Sequence, residues 1–304
     1  MPPPRIIALF GPTAAGKTGV AIAIAALLRE RGEDPVAVNC DSIQVYRGLE
    51  ILSGAASAEE RARLEHRLLS FVDPGEVFSA GRYAELAHAE IDGLLTEGRR
   101  PIVVGGTGLY LRAALAELEL RPAVPAEIRE SVEAELDARG PEPLHAELDP
   151  ALAASVAPGD RKRVARLTEL ARAGIEAHEG GEGLWTADLR HPTLLVGLTL
   201  DRDELARRID VRVDAMIAAG APKEAHAVAE AGASRTAAAA LGFRELTAGG
   251  SDAPDAGVVD AIKLAHRRYA RRQLTWMRRM EGVELIDRSG RSDDEVADEI
   301  ASLL

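Results

Sequence analysis

The tightest constraint on this chain is the run Gly11-Pro-Thr-Ala-Ala-Gly-Lys-Thr18. It lies between an apolar stretch, Ile6 to Phe10, and a pattern rich in Ala, Ile and Leu that continues to about Arg31. In order, these are a strand, a glycine loop and a helix. The spacing Gly-x-x-x-x-Gly-Lys-Thr turns successive backbone N–H groups inward around a phosphate, and the helix start behind it adds partial positive charge. Lys17 is placed to reach the outer phosphate and the Thr18 hydroxyl to hold Mg²⁺. A chance match in a Gly- and Ala-rich chain would not bring the strand before and the helix after. Gly11, Pro12, Thr13, Ala14, Ala15, Gly16, Lys17 and Thr18 are therefore read as the cradle of a diphosphate or triphosphate. The loop leaves the reaction open.

A chain of 304 residues accommodates one large α/β domain with an insertion, or two domains, and 46% hydrophobic content fits a well-buried globular protein. One cysteine, Cys40, excludes an internal disulfide framework and suits a reducing compartment. It reads as a small buried residue at a strand end. Met1-Pro-Pro-Pro-Arg5 runs straight into the first strand, leaving no room for a signal peptide, and no apolar stretch approaches a membrane span. The expectation is a soluble, cytoplasmic protein with no membrane partner. The net charge of −12 taken alone argues against nucleic acid, but its distribution does not. From Leu264 to Met280 the chain carries six arginines (267, 268, 271, 272, 278 and 279) and no acid. Arg161-Lys162-Arg163 with Arg166 forms a second basic cluster. Such a stripe is a polyanion site or a solvated helix face; arginines without local acidic partners favour the former.

Further along, Pro35 to Asn39 predicts a short buried strand running into Cys40-Asp41-Ser42-Ile43-Gln44-Val45-Tyr46. In a parallel sheet functional groups gather beyond the strand C-termini, which puts Asp41 on the edge of the phosphate loop. Asp41 reads equally as a Mg²⁺-side acid or helix cap and as a general base. Ser53 to Ser70 carries no clear pattern and reads as exposed. Ser79 caps a predicted helix from Ala80 to Glu97. Pro101 to Val104 is a third strand, entering Gly105-Gly-Thr-Gly-Leu-Tyr110, where glycines let backbone approach a ligand and Thr107 offers a hydroxyl; a ligand-free tight turn is the alternative. From 115 to about 183, Pro122, Pro125, Pro141, Pro143, Pro150 and Pro158 punctuate short helical segments, closed by Gly180-Gly-Glu-Gly183. This predicts a helical insertion, 115–183, in a core of 1–114 and 184–304. The sheet resumes at Thr193 to Leu200, and Asp201 starts a helix with Arg208 and Arg212 on one face and Ile209, Val213, Met216 and Ile217 opposite. Helices are then expected from Pro222, from Arg235 and from Val258 to Met280, followed by a strand, Val283 to Asp287, and a helix, Asp293 to Leu304. The fold class is α/β, a parallel sheet core of the P-loop nucleotide-binding kind.

These pieces together resemble the tRNA dimethylallyltransferase (isopentenyl-tRNA transferase) family over about residues 5 to 287. The phosphate loop is shared by many families. More selective are Asp41-Ser-Ile-Gln-Val-Tyr-Arg-Gly48, Val72-Asp-Pro74, Phe78-Ser-Ala80, Val104-Gly-Gly-Thr-Gly-Leu-Tyr110 and Arg268-Tyr-Ala-Arg-Arg-Gln-Leu-Thr-Trp276. The resemblance implies transfer of a dimethylallyl group from dimethylallyl diphosphate to N6 of the adenosine just 3′ of the tRNA anticodon (position 37). The phosphate loop and Mg²⁺, held at Thr18, would stabilise the diphosphate as leaving group. By similarity Asp41 is the general base, Lys17, Thr13 and Arg212 meet the diphosphate, and Thr107 lies near the acceptor nucleotide. The acceptor base must leave its stack, and unpaired loop bases suit edge recognition. Matching tRNA-contacting positions are Asp41, Ser42, Ile43, Gln44, Thr107, Arg129, Lys162, Arg163, Val164, Ala165, Arg166, Gly242, Phe243, Arg244, Arg271, Arg272, Gln273, Leu274, Thr275, Trp276, Met277 and Arg278. Gln44 and Gln273 are candidate base readers, with ordinary surface amides as the alternative. The implied partners are the tRNA anticodon stem-loop and dimethylallyl diphosphate, with the protein a monomer.

The chain departs from the family pattern at Glu50-Ile-Leu-Ser-Gly-Ala-Ala-Ser57, where Asp-Ile-Gly-Thr-Ala-Lys-Pro is usual, at His66-Arg67-Leu-Leu-Ser70, at Gly242-Phe243, and after the 161–166 cluster, where a Thr-Gly turn is missing. Two other readings use the same loop. One is prenyl transfer to free adenine nucleotide, which needs neither the arginine helix nor the insertion. The other is an ATP-dependent phosphoryl-transfer enzyme or RNA-binding switch, in which Asp41 serves the metal.

Overall fold

The computed structural model describes residues 5–118, 124–176, 186, 188–248 and 253–304. Pro122 and the stretch 180–183 lie outside the described residues. Two compact units emerge, Met1–Glu117 with Leu184–Leu304, and Leu118–Gly183.

The first unit is built on a parallel sheet. β1 (Ile6–Phe10) is buried at every position, as a continuous apolar run covered on both faces must be. α1 (Lys17–Glu30) leaves the loop and packs Val20, Ile24 and Leu28 on the sheet. β2 (Pro35–Asn39) follows, then two short helices, α2 (Glu50–Ser53) and α3 (Ala58–Arg63), and β3 (His66–Arg67). The region from Ser53 to Ser70 is thus more ordered than its charge suggests. α3 starts in a capping box between Ser57 and Glu60, and β3 adds an edge strand to β2. α4 (Ala80–Thr96) is capped by Ser79, and β4 (Arg100–Gly105) leads into α5 (Gly108–Leu115).

The second unit holds α6 (Ala126–Arg139), α7 (Pro141–Ala146), α8 (Pro150–Ala154) and α9 (Arg161–Arg172). Its small core gathers Val132, Leu136, Leu144, Val156, Val164 and Leu167.

Back in the first unit, β5 (Thr193–Thr199) precedes α10 (Arg202–Ala219), whose first N–H groups are capped by Asp201. α11 (Ala221–Glu230) follows, then α12 (Phe243–Ala248), α13 (Ala256–Arg279), β6 (Val283–Asp287) and α14 (Asp293–Ser302). No helix starts at Arg235. A single 3₁₀ turn at Ala237–Ala239 ends in extended Ala240, and left-handed Gly242, at φ +90°, restarts the chain as α12. The strand order is β3-β2-β4-β1-β5-β6, with every pairing parallel. β1 lies centrally, between β4 and β5, in register Ile7 to Ile102 and Leu9 to Val196. The chain turns to one side of β1 and later to the other, so the loop after β1 sits at the crevice where such sheets bind ligands.

Candidate active site

The loop after β1 wraps tightly. Ala15 N–H donates to the Pro12 carbonyl at 3.1 Å, and Ala14 (φ +63°) and Gly16 (φ +76°) both adopt left-handed backbone. Thr13 N–H donates to Gln273 Oε1 at 2.8 Å. With these two amides used internally, the N–H groups at the start of α1 remain for an anion, because the first turn of a helix has no internal acceptor for them. The Lys17 ammonium lies across the loop, donating to the carbonyls of Gly11 (3.1 Å) and Pro12 (3.0 Å). Burial pushes its pKa down to about 8; Asp41 opposes that shift and Arg212 adds to it.

Arg212 reaches the same place from α10. It is not on a solvent face: its Nη2 donates to the carbonyls of Ser53 (3.2 Å) and Gly54 (3.4 Å), and burial lowers its pKa. A methyl group on Gly54 would lie 1.8 Å from that Nη2, so the glycine, at φ +60°, admits the guanidinium. Gln44 donates to the same two carbonyls, and the Glu224 carboxylate caps Ile51 and Leu52 N–H from α11. The loop that departs from the family pattern is therefore a fixed platform under Arg212. Arg208, one turn earlier, pairs with Glu204 instead.

Asp41 sits one residue past Cys40, whose thiol is fully buried and raised by that burial. Asp41 Oδ1 accepts from Ile43 N–H (3.0 Å) and Gln44 N–H (3.4 Å), and Asn39 Oδ1 accepts from Asp41 N–H. These bonds lock the carboxylate at the turn. Its Oδ2 has no hydrogen-bond partner among the described residues. Thr107 Oγ1 accepts from Ser42 N–H at 3.2 Å and stands 3.4 Å from the Tyr269 hydroxyl. Asp41 raises the phenol of Tyr269, after burial, which fits a carboxylate close by. Tyr269 also carries the Arg272 guanidinium over its ring, 5.4 Å from the centroid. Sequence reading passed over this tyrosine, although the motif Arg268-Tyr-Ala contains it.

The glycines after β4 serve the protein itself. A methyl group on Gly105 would lie 2.4 Å from the Cys40 carbonyl, on Gly106 2.2 Å from Gln273 Nε2, and on Gly108 2.3 Å from the Trp276 ring. They admit Cys40 and α13.

Helix α13 has two faces. Ile262, His266, Ala270, Gln273 and Met277 point inward, while Arg268, Arg271, Arg272, Thr275 and Arg278 are exposed. Gln273 is no surface reader: with Oε1 on Thr13 and Nε2 on the Gly106 carbonyl (2.7 Å), it ties α13 to both site loops. Met277 is buried against Gly197, and Leu274 and Trp276 are half-buried. Arg267 and Lys263 are not free cations, pairing with Asp210 and Asp214 of α10 at 2.6 Å. Gly242 and Phe243 are buried against the core, leaving Arg244 exposed. In the helical unit the side chains of Val164 and Ala165 face the core, so neither is presented on the surface. Arg166 pairs with Glu169, Arg129 donates to the Val124 carbonyl, and Lys162 and Arg163 are exposed.

A parallel sheet with two half-buried cations and a locked carboxylate at the loop after its central strand defines an α/β protein with a P-loop-like core. The family model described as IPP transferase matches residues 44–280, and the chain belongs to that family. A tRNA dimethylallyltransferase of Anaeromyxobacter dehalogenans (strain 2CP-C) is 43% identical over 286 residues, spanning 92% of this chain and 93% of the relative. One of Streptomyces coelicolor is 39% identical over 285 residues, spanning 91% and 88%. The crystal structure of the full-length tRNA isopentenylpyrophosphate transferase of Bacillus halodurans superposes with a TM-score of 0.70 at 31% identity, covering 98% of this chain and 96% of that one. A eukaryotic dimethylallyltransferase acting on tRNA shares the fold, with a TM-score of 0.71 at 23% identity over 93% of this chain and 74% of that one.

Proposed function

We propose that this protein transfers a dimethylallyl group from dimethylallyl diphosphate to N6 of the adenosine 3′ of the anticodon, position 37, in tRNA. One observation carries the reading. Lys17 and Arg212, two half-buried cations, converge with Asp41 at the phosphate loop, and α13 brings Gln273 to that loop while turning arginines outward. In this reading N6 attacks C1 of the dimethylallyl group as the C1–O bond breaks. The bonding pair leaves with the diphosphate, and the proton released from N6 passes to Asp41 Oδ2. An exocyclic adenine amine is a poor nucleophile because its lone pair is delocalised, so a carboxylate within reach of its proton is a natural aid. Lys17, Arg212 and the α1 amides take up the charge that grows on the leaving oxygen. No nucleotide is hydrolysed.

The donor set suits Mg²⁺. The Thr18 hydroxyl makes no hydrogen bond among the described residues and lines a narrow cavity with Asn39 and Gln44. Among the described residues no cluster of three His, Cys, Asp or Glu is placed to hold a metal. Thr18 and the diphosphate oxygens would therefore carry the ion, which keeps several waters. It would neutralise diphosphate charge.

The exposed arginines of α13 would lie along the RNA phosphates, an electrostatic contact without base specificity. A tRNA substrate supports a cytoplasmic location, and we read the protein as a monomer, which light scattering checks. Among the described residues no helix is long and apolar enough to cross a membrane. The functional test supplies labelled dimethylallyl diphosphate, Mg²⁺ and unmodified tRNA, with AMP and ATP in parallel. Label should move to tRNA alone. Transfer to AMP would select the free-nucleotide prenyltransferase, and ATP turnover without label transfer would select the nucleotide-driven reading.

A further inference from the structure

Behind the phosphate loop lies a buried arginine that takes no part in the proposed chemistry. Arg288 follows β6 directly and is 4% exposed. Its Nη1 donates to the Ala15 carbonyl at 2.5 Å, its Nη2 to Asp293 Oδ1 at 3.0 Å, and its backbone N–H to the Thr199 carbonyl at 3.1 Å. One residue thus joins the end of β5, the start of α14 and the middle of the loop.

The neighbouring sequence makes room for it. A methyl group on Gly16 would lie 1.9 Å from Arg288 Nη1, and one on Gly19 would lie 2.0 Å from Asp293 Oδ2. The two glycines flanking Lys17 and Thr18 are therefore matched to the Arg288–Asp293 pair. Gly16 is expected in any such loop; Gly19 has no role in the phosphate motif, and the pair supplies its reason.

The gripped peptide is also the one whose conformation most needs support. Ala15 lies between Ala14 and Gly16, both left-handed, and an alanine enters that region only at a cost that its surroundings must offset. A trans peptide is planar, with its C=O and the following N–H pointing in opposite directions. Holding the Ala15 carbonyl toward Arg288 therefore turns the Gly16 N–H away from it.

We infer that Arg288 is a positioning residue for the donor: by gripping the Ala15 carbonyl it fixes the Gly16 N–H, and with it the loop, in the form that receives the diphosphate. The buried guanidinium also adds positive charge behind the loop, half-balanced by Asp293, which is partly exposed. The inference rests on the loop holding a diphosphate.

Inorganic pyrophosphate with Mg²⁺ tests it without requiring catalysis. In Arg288→Met, which keeps side-chain bulk and removes the donors, the dissociation constant for pyrophosphate should rise about 10-fold or more. The affinity for unmodified tRNA and the melting temperature of the free protein should stay close to those of the unmodified chain. Arg288→Lys should fall between the two in pyrophosphate affinity, since a shorter side chain retracts the donor from Ala15. Unchanged pyrophosphate affinity in Arg288→Met would overturn the inference, as would equal losses of pyrophosphate affinity, RNA affinity and melting temperature, which mark a merely structural arginine. Should the Met variant not fold, unmodified affinity in Arg288→Lys would overturn it and a loss of threefold or more would support it. If the unmodified chain itself fails to bind pyrophosphate, the diphosphate reading falls, and this inference with it.

Discussion

Lys17 is a half-buried, largely desolvated ammonium facing a second half-buried cation, Arg212, with Asp41 as the nearby acid. A diphosphate entering between the cations would relieve their repulsion and restore solvation lost on folding, so the pair favours an anion. Lys17→Ala should lower prenyl transfer about 100-fold or more while folding is little changed; unmodified turnover would remove the loop from the reaction. The pH dependence follows from the direction of the shift. Burial holds Lys17 at about 8, below its ordinary 10.5, so the folded state binds fewer protons between those values. Stability of the free protein therefore rises with pH across that window, and the cost of the buried charge is present in full below it. In the proposed reaction the diphosphate pairs with this ammonium, so pyrophosphate affinity should fall as pH climbs from about 7.5 to about 9.5. A flat titration would mean that Lys17 stays charged or does not touch the anion. The loop was legible because its glycines and lysine stand at fixed spacing. Arg288 was not, since nothing in a lone arginine after a strand says which backbone it grips.

At the scale of elements, α13 has two faces of different character. Its inner stripe, 262, 266, 270, 273 and 277, recurs at helical spacing, but His266 and Gln273 are polar, so apolar periodicity under-reports the buried face. Gln273, matched by resemblance to a tRNA-contacting position, is a tie between loops that such periodicity does not reveal. The same blindness affects Val164 and Ala165, which a basic cluster surrounds on the chain but not in space. The outer face is left with Arg268, Arg271, Arg272 and Arg278. Replacing Arg271 and Arg272 together by alanine should weaken tRNA binding and reduce its salt dependence, by roughly one unit of log–log slope for each phosphate no longer neutralised. Pyrophosphate affinity should not move. RNA binding with unchanged affinity and slope would make this stripe an ordinary solvated face. The two-residue strand β3 escaped sequence reading for a different reason: two half-buried polar residues make no pattern, and only pairing with β2 defines them.

Across the whole molecule, the main strands were readable because a parallel sheet buried on both faces demands continuous apolar runs, and the helical character of the region after α5 was readable from its prolines. The helical unit has its own core, in which Leu136 is 1% exposed. Leu136→Ala should cost about 2–5 kcal/mol there. Hydrogen exchange should show the loss in α6, α7 and α9 while the sheet and pyrophosphate binding hold; equal loosening of both units would mean that they unfold as one. The central claim is that the loop holds a leaving group while Asp41 takes the proton from the acceptor amine. Single-turnover transfer by Asp41→Asn, followed from low to high Mg²⁺ with donor and tRNA saturating, tests it most directly. The account predicts a rate reduced about 100- to 10,000-fold, with donor and tRNA affinity largely retained and no recovery at high Mg²⁺. Substantial recovery by Mg²⁺, or a rate close to that of the unmodified chain, would contradict it.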